Sequence, residues 1–252
     1  MIRESLYFSF AGRKSTEFPI VNVSLGSGMF EESLTSSKSI VETSVAGNNV
    51  PYFQRIKREP ITFSLRFAFT EPWNDEMIDE VIRWLDVDYY EPLFFSSNID
   101  RIYYGMIVDS IEQIHNGLSE GYVNLNVRCN GAYKYSPEIT SPIYEIDNED
   151  LIEIVNTGHL PTSPLIFIQK IGDGSLTIEN LSSTDEVFFI KDLKDNEQLT
   201  IDCESRRIET NLENVNHYDD FNDNYIELSV GYNEYRIIGD CRIKFEYQFL
   251  YK

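Results

Sequence analysis

The chain has 252 residues, 42% of them apolar and 13% aromatic, with 16 Tyr, 16 Phe and a formal net charge of −21. That much apolar and aromatic material supports a packed core and excludes a disordered chain, while the negative balance reverses the phosphate attraction that non-specific nucleic-acid binding depends on. No uncharged apolar run reaches the ~18 residues of a membrane span, and Met1-Ile2-Arg3-Glu4-Ser5 lacks the basic start and apolar stretch of a signal peptide, so a soluble protein without a membrane partner is expected.

In chain order, the first elements are a loosely alternating strand from Leu6 to Phe10 and then a polar stretch, residues 26 to 60, that reads as a long exposed hairpin. Such a hairpin carries unpaired edges that invite pairing with another chain. Arg55, Lys57 and Arg58 on it form the tightest basic group of an acidic chain, and we expect them at an oligomer interface, facing an acidic patch of a neighbouring subunit. Ile61, Phe63, Leu65, Phe67 and Phe69 alternate with Thr62, Ser64, Arg66, Ala68 and Thr70, which specifies a strand buried on one face. Trp73, Met77, Ile78, Val81, Trp84 and Leu85 then recur at spacings of three and four, predicting one amphipathic helix. Its start would be capped by Thr70 or Asn74, with Pro72 in the first turn and both tryptophans on the buried face. Trp73, Met77, Val81 and Trp84, with Phe63 and Phe67, are the expected structural core. Further strands follow at Ile102 to Val108 and Val123 to Cys129.

Two prolines in Ser136-Pro137-Glu138-Ile139-Thr140-Ser141-Pro142 interrupt regular structure, which places a domain boundary at residue 139, with domains 1–139 and 140–252. Residues 1–140 carry net −7 and residues 141–252 net −14. The second half reads as short strands separated by turns: Leu151 to Val155, Leu165 to Gln169, Leu176 to Ile178, Val187 to Ile190, Leu199 to Asp202, Tyr225 to Val230, Tyr235 to Ile238, and a closing strand, Arg242 to Tyr251, able to contact the first domain. That spacing defines a β-sandwich. The chain is therefore expected to be mainly β, with one helix.

Catalytic chemistry finds little support. His115, His159 and His217 form no metal-binding pair, and Glu112 with His115 would point to opposite faces of a strand. In the acidic run His217 to Asn224, the alternation of Asp220, Asn222 and Asn224 imitates a calcium loop, but Tyr225 and Gly231 stand where Gly and Glu are needed, so it reads as a solvated loop. Cys129, Cys203 and Cys241 are too far apart for a paired metal or redox motif and read as buried reduced thiols. No nucleophile elbow or phosphate loop occurs, and neither a cofactor nor a catalytic residue is nominated. A sugar platform would have to use Tyr218, Phe221 or Tyr232, since the second half has no tryptophan.

The early strand Ser5 to Phe10, the strand and helix from Ile61 through Trp84-Leu85, Arg101-Ile102-Tyr103-Tyr104-Gly105 and Ala132-Tyr133-Lys134-Tyr135-Ser136-Pro137 together resemble the first half of the siphophage distal tail protein family. Asn156-Thr157-Gly158 with Pro164, Leu199-Thr200-Ile201-Asp202-Cys203 and Gly231-Tyr232-Asn233 resemble its second half. The resemblance implies a tail-tube-like β-sandwich or barrel with one helix, followed by a galectin-like or carbohydrate-module-like sandwich. It further implies a structural virion protein rather than an enzyme. This would be a homo-hexameric ring, alone or as two rings head to head, at the virion tail tip after assembly in the host cytoplasm. The ring would contact the tail tube protein, the tape measure protein and the tail-associated tip protein, and pass DNA without specific binding. Host surface sugars are a further implied partner, and a carbohydrate-binding adhesion module is the alternative reading.

Overall fold

The structure, a computed structural model, describes residues 6–23, 35–115, 117, 121–182 and 187–252. The chain forms two compact units that divide between Tyr135 and Ser136. The part of the expected hairpin at residues 26–34 lies outside the described residues.

The first unit contains β1 (Phe8–Phe10), β2 (Arg13–Lys14), β3 (Ile20–Asn22), β4 (Lys38–Thr43), β5 (Tyr52–Arg58), β6 (Thr62–Phe69), α1 (Asp75–Leu85), β7 (Glu91–Phe95), β8 (Asn98–His115), β9 (Gly121–Cys129) and β10 (Lys134–Tyr135). Its main sheet runs β2-β1-β7-β8-β9-β6-β3, with β10 beside β8. The alternation at 61–69 does what its period requires: Leu65 and Phe67 are buried, with Phe63 and Phe69 half-buried against the same core. In β8 the expected strand runs on to His115 through a bulge. Val108 faces Asn126 and Glu112 faces Asn124, so four steps along β8 match two along β9, with Asp109 at φ 65°. The surplus is an even number of residues, so Ile107 and Ile111 both still pack on the core.

The helix begins later than its apolar spacing suggests. Asn74 is the N-cap, its side chain accepting from the Met77 amide at 2.8 Å, which leaves Pro72 and Trp73 ahead of the first turn. Trp73 packs instead on Phe69, with ring centroids 5.2 Å apart, and on His115. Val81, Trp84 and Leu85 form the buried stripe and Met77 is half-buried. Trp84, 5% exposed, stacks on Phe8 and Phe18 at 5.4 and 4.7 Å.

The second unit contains β11 (Ile139–Thr140), β12 (Tyr144–Ile146), β13 (Glu149–Asn156), β14 (Leu165–Lys170), β15 (Gly174–Asn180), β16 (Val187–Leu193), β17 (Gln198–Asp202), β18 (Arg207–Thr210), β19 (Gly231–Ile238), β20 (Cys241–Tyr247) and β21 (Leu250–Tyr251). One sheet runs β11-β20-β14-β17-β18, with β12 on β20, and the other runs β13-β19-β15-β16. Ile166, Ile168, Leu199, Ile201, Ile243 and Phe245 of the first sheet meet Ile152, Ile154, Leu176, Ile178, Phe188 and Ile237 of the second in one continuous core. Tyr235 and Phe245 stack across the layers with centroids 6.4 Å apart. The fold is thus mainly β with a single α-helix among the described residues.

Two strand assignments change in this unit. The expected strand Tyr225 to Val230 joins no ladder beyond an isolated bridge of Leu228 to Thr162. Side chains occupy its carbonyls instead: Tyr235 Oη donates to Glu227 O at 2.8 Å, Asn156 Nδ2 to Leu228 O at 3.0 Å and Asn233 Nδ2 to Ser229 O at 2.8 Å. The expected closing strand is broken after Tyr247 and resumes at Leu250.

Candidate functional site

β4 and β5 form a two-stranded sheet of their own, pairing with no other strand among the described residues. Ile40 lies opposite Ile56 and Glu42 opposite Phe53, so pleat alternation puts Ile40, Ile56 and Phe53 on one face with Lys38 and Arg58. These side chains are 63%, 44% and 64% exposed. Contiguous apolar side chains so open to water are what a protein-protein contact uses. Val41, Arg55 and Lys57 occupy the opposite face. The basic group read from the sequence is therefore divided. Arg55 and Lys57 point one way, with Lys57 paired to Glu59 at 2.8 Å, and Arg58 points the other way, half-buried beside the apolar ladder.

The acidic run beginning at His217 departs from the solvated-loop expectation. His217 is 3% exposed, its Nε2 lies 2.7 Å from Glu197 Oε1 and its Nδ1 3.1 Å from Asp220 Oδ2. Thr210 Oγ1 donates to the same Glu197 oxygen at 2.6 Å, and the Lys194 amide donates to the other at 2.9 Å. Burial pushes the Glu197 carboxyl up, but the bonds from Thr210, Lys194 and His217 outweigh it and hold the group below the usual glutamate value. The sequence gives no signal for this pairing, because Glu197 and His217 are brought together only by the β17-β18 turn and the loop that follows it.

Among the described residues, no group of three or more His, Cys, Asp or Glu side chains could hold a metal ion. Burial pushes the thiols of Cys129 and Cys203 up to about 12 and that of Cys241 up to about 11. Of the candidate sugar-stacking aromatics, Phe221 packs on the sandwich core, whereas Tyr218 and Tyr232 are about half exposed, at 51% each. The Tyr232 phenol is pushed up to about 12 by its hydrogen bond to Glu153.

The Asn156-Thr157-Gly158 segment that marks the resemblance is a built turn. Gly158 N donates to Asn156 Oδ1 at 2.8 Å, while Asn156 Nδ2 donates to the carbonyls of Leu160 and Leu228, both at 3.0 Å. A Cβ at Gly158 would lie 2.8 Å from Leu250 O, so the position excludes every larger residue unless the backbone moves.

A sheet with one helix and a separate hairpin, followed by a β-sandwich, is an arrangement that solved phage proteins share. The SPP1 Dit protein, described as a paradigm of the hub adsorption apparatus in Gram-positive-infecting phages, superposes with a TM-score of 0.71 over 96% of this chain and 98% of its own, at 17% identity. A chain of the phage P2 baseplate in its activated conformation with Ca gives 0.52 over 95% and 97%, at 7% identity. These likenesses define the fold.

The sequence defines the family. Residues 3–131 match the family described as phage tail protein N-terminal domain and residues 133–247 the phage tail C-terminal domain. The SPbeta prophage-derived uncharacterized protein YomH of Bacillus subtilis strain 168 is 33% identical over 252 residues, all of both chains. The chain belongs to this phage tail protein family and is a structural component of the tail.

Proposed function

We propose that this chain is the distal tail protein of its phage: a hexameric ring joining the tail tube to the tail tip and letting DNA pass. The observation that carries the reading is the β4-β5 hairpin, whose Ile40-Ile56-Phe53 face lies open to water while its backbone pairs with no other sheet among the described residues. A second copy of the chain is the occupant that a ring supplies. The likeness to the SPP1 hub protein supports the same reading. With a net charge of −21, a channel wall sharing the overall sign repels the DNA backbone and lets it slide. In this reading the ring contacts the tail tube and tape measure proteins on one side and the tail-associated tip protein on the other.

Negative-stain imaging and mass measurement of the purified full-length chain test the proposal. Six-fold rings, single or paired head to head, are the expected result, and Ile40→Asp with Phe53→Ser should yield monomers with an unchanged circular dichroism spectrum. A wild-type chain that stays monomeric at micromolar concentration, alone and with tail tube protein, overturns it.

A further inference from the structure

The Glu197-His217-Asp220 contacts tie together four pieces of the sandwich. Glu197 comes from the β16-β17 turn, and its carboxylate takes the Thr210 hydroxyl of β18. His217 and Asp220 come from the loop that leaves β18, and Asp220 Oδ1 lies 3.9 Å from Lys191 Nζ on β16, which also stands 3.7 Å from Asp192. Among the described residues these are the charged and titratable groups shown facing the imidazole and its partners.

The loop does a specific job where it is held. β16 ends its sheet, and among the described strands it pairs with β15 alone. Segment 220–224 runs along the open edge: Lys191 N donates to Asp220 O at 3.0 Å, Asn222 N to Phe189 O at 3.1 Å and Phe189 N to Asn222 Oδ1 at 3.1 Å. Asn222 Nδ2 and Asn224 Nδ2 both donate to Val187 O, at 2.7 and 3.2 Å. The loop thus fills the hydrogen-bonding row that an edge strand otherwise offers to another chain.

We propose that Glu197, His217 and Asp220 form a proton-operated latch that holds segment 217–224 on the edge of β16 and frees that edge when it opens. A ring nitrogen donates only while it carries a proton. With Glu197 and Asp220 both ionised, the two short contacts are hydrogen bonds together only when the ring is the doubly protonated imidazolium. Loss of the second ring proton sets a lone pair against one of the two carboxylates, with the imidazole 3% exposed and the Glu197 side chain fully buried. Protonation of Glu197 in acid removes the charge that Thr210, Lys194 and His217 converge on. The latch holds while His217 carries both ring protons and Glu197 is ionised, and the edge of β16 is covered under that condition.

Hydrogen exchange of the full-length chain across a pH series, expressed as protection after correction for intrinsic rates, reads the latch directly. The ring protonation of His217 is followed in the same samples from its Cε1 proton. In the wild type, protection of peptides covering 187–193 and 217–224 should fall roughly tenfold as the ring loses its second proton, the scale of one charge-assisted hydrogen bond, while 231–238 stays protected. Asp220→Asn offers an amide that can accept from or donate to Nδ1, so it should keep the protection and lose that fall. Protection that stays flat through the His217 transition in the wild type overturns the proposal, even if no variant folds. A fall of wild-type size with the loss of that ring proton in a folded Asp220→Asn chain also overturns it.

Discussion

The indole Nε1 of Trp84 donates to the carbonyl of Phe10 at 2.8 Å, joining α1 to the strand whose flanking rings it stacks on. Helix and sheet are thus held by one directional bond inside an aromatic cluster of Phe8, Phe10 and Phe18. Trp84→Ala should cost about 3–5 kcal/mol as a buried aromatic deletion. Trp84→Phe keeps most of the stacking but removes the bond to the Phe10 carbonyl, which the β1-β2 turn still engages, at about 0.5–1.5 kcal/mol. Urea unfolding followed by circular dichroism separates the two, and a Trp84→Phe chain as stable as the wild type would show that the bond adds nothing.

The second prediction concerns salt. Because Arg58 shares the apolar hairpin face with Ile40, Ile56 and Phe53 while Arg55 and Lys57 lie on the other, Arg58→Gln should weaken oligomers and flatten their salt dependence, while Arg55→Gln with Lys57→Gln should leave that dependence in place. Sedimentation between about 0.05 and 0.5 M salt covers the range in which exposed charges become screened. Identical salt responses in both variants would remove Arg58 from the interface.

The acid limb of stability has a stated sign. Glu197 and Asp202 are both held below their ordinary values: burial acts to raise each, and hydrogen bonds outweigh it, from Thr210, Lys194 and His217 at Glu197 and from Ser205 and Glu204 at Asp202. A lowered folded-state value contributes stability that is present above the unfolded value and lost as pH falls through the folded one. Thermal midpoints of the sandwich should therefore decline below about pH 4.5, near the ordinary glutamate range, and Glu197→Gln should shrink that decline. A Glu197→Gln chain with the wild-type acid profile would exclude Glu197 as a contributor.

Thiol chemistry gives a fourth test. With all three cysteines buried and their thiols raised by that burial to about 11 or 12, the native chain should resist a maleimide or disulfide reagent at pH 8, and three thiols should react in denaturant. Rapid labelling of the folded chain would contradict the assigned burial.

Much of the architecture was legible where burial is one-sided. Ile61 to Phe69 shows its period of two because only one face of β6 meets the core, and Val81, Trp84 and Leu85 show the helical stripe for the same reason. Trp73 misled because apolar spacing cannot tell a first helical turn from the residue before an N-cap, and Asn74 decided the matter with one side-chain bond. Ile226 and Leu228 alternate like strand residues and are buried like them, yet their segment's carbonyls are taken by Tyr235, Asn156 and Asn233, partners that no local pattern announces. The burial of His217 was illegible for a similar reason: a run of Asp and Asn reads as wet until the fold brings Glu197 to it.

The bulge of β8 carries a rule for length variation in this part of the fold. Its surplus residues come as a pair, so every side chain beyond Asp109 keeps the side of the sheet it would have had without them. Relatives should therefore gain or lose residues between Val108 and Glu112 two at a time. A single addition would turn Glu112 towards the core and Ile111 towards water, and the strand would have to slip or end there.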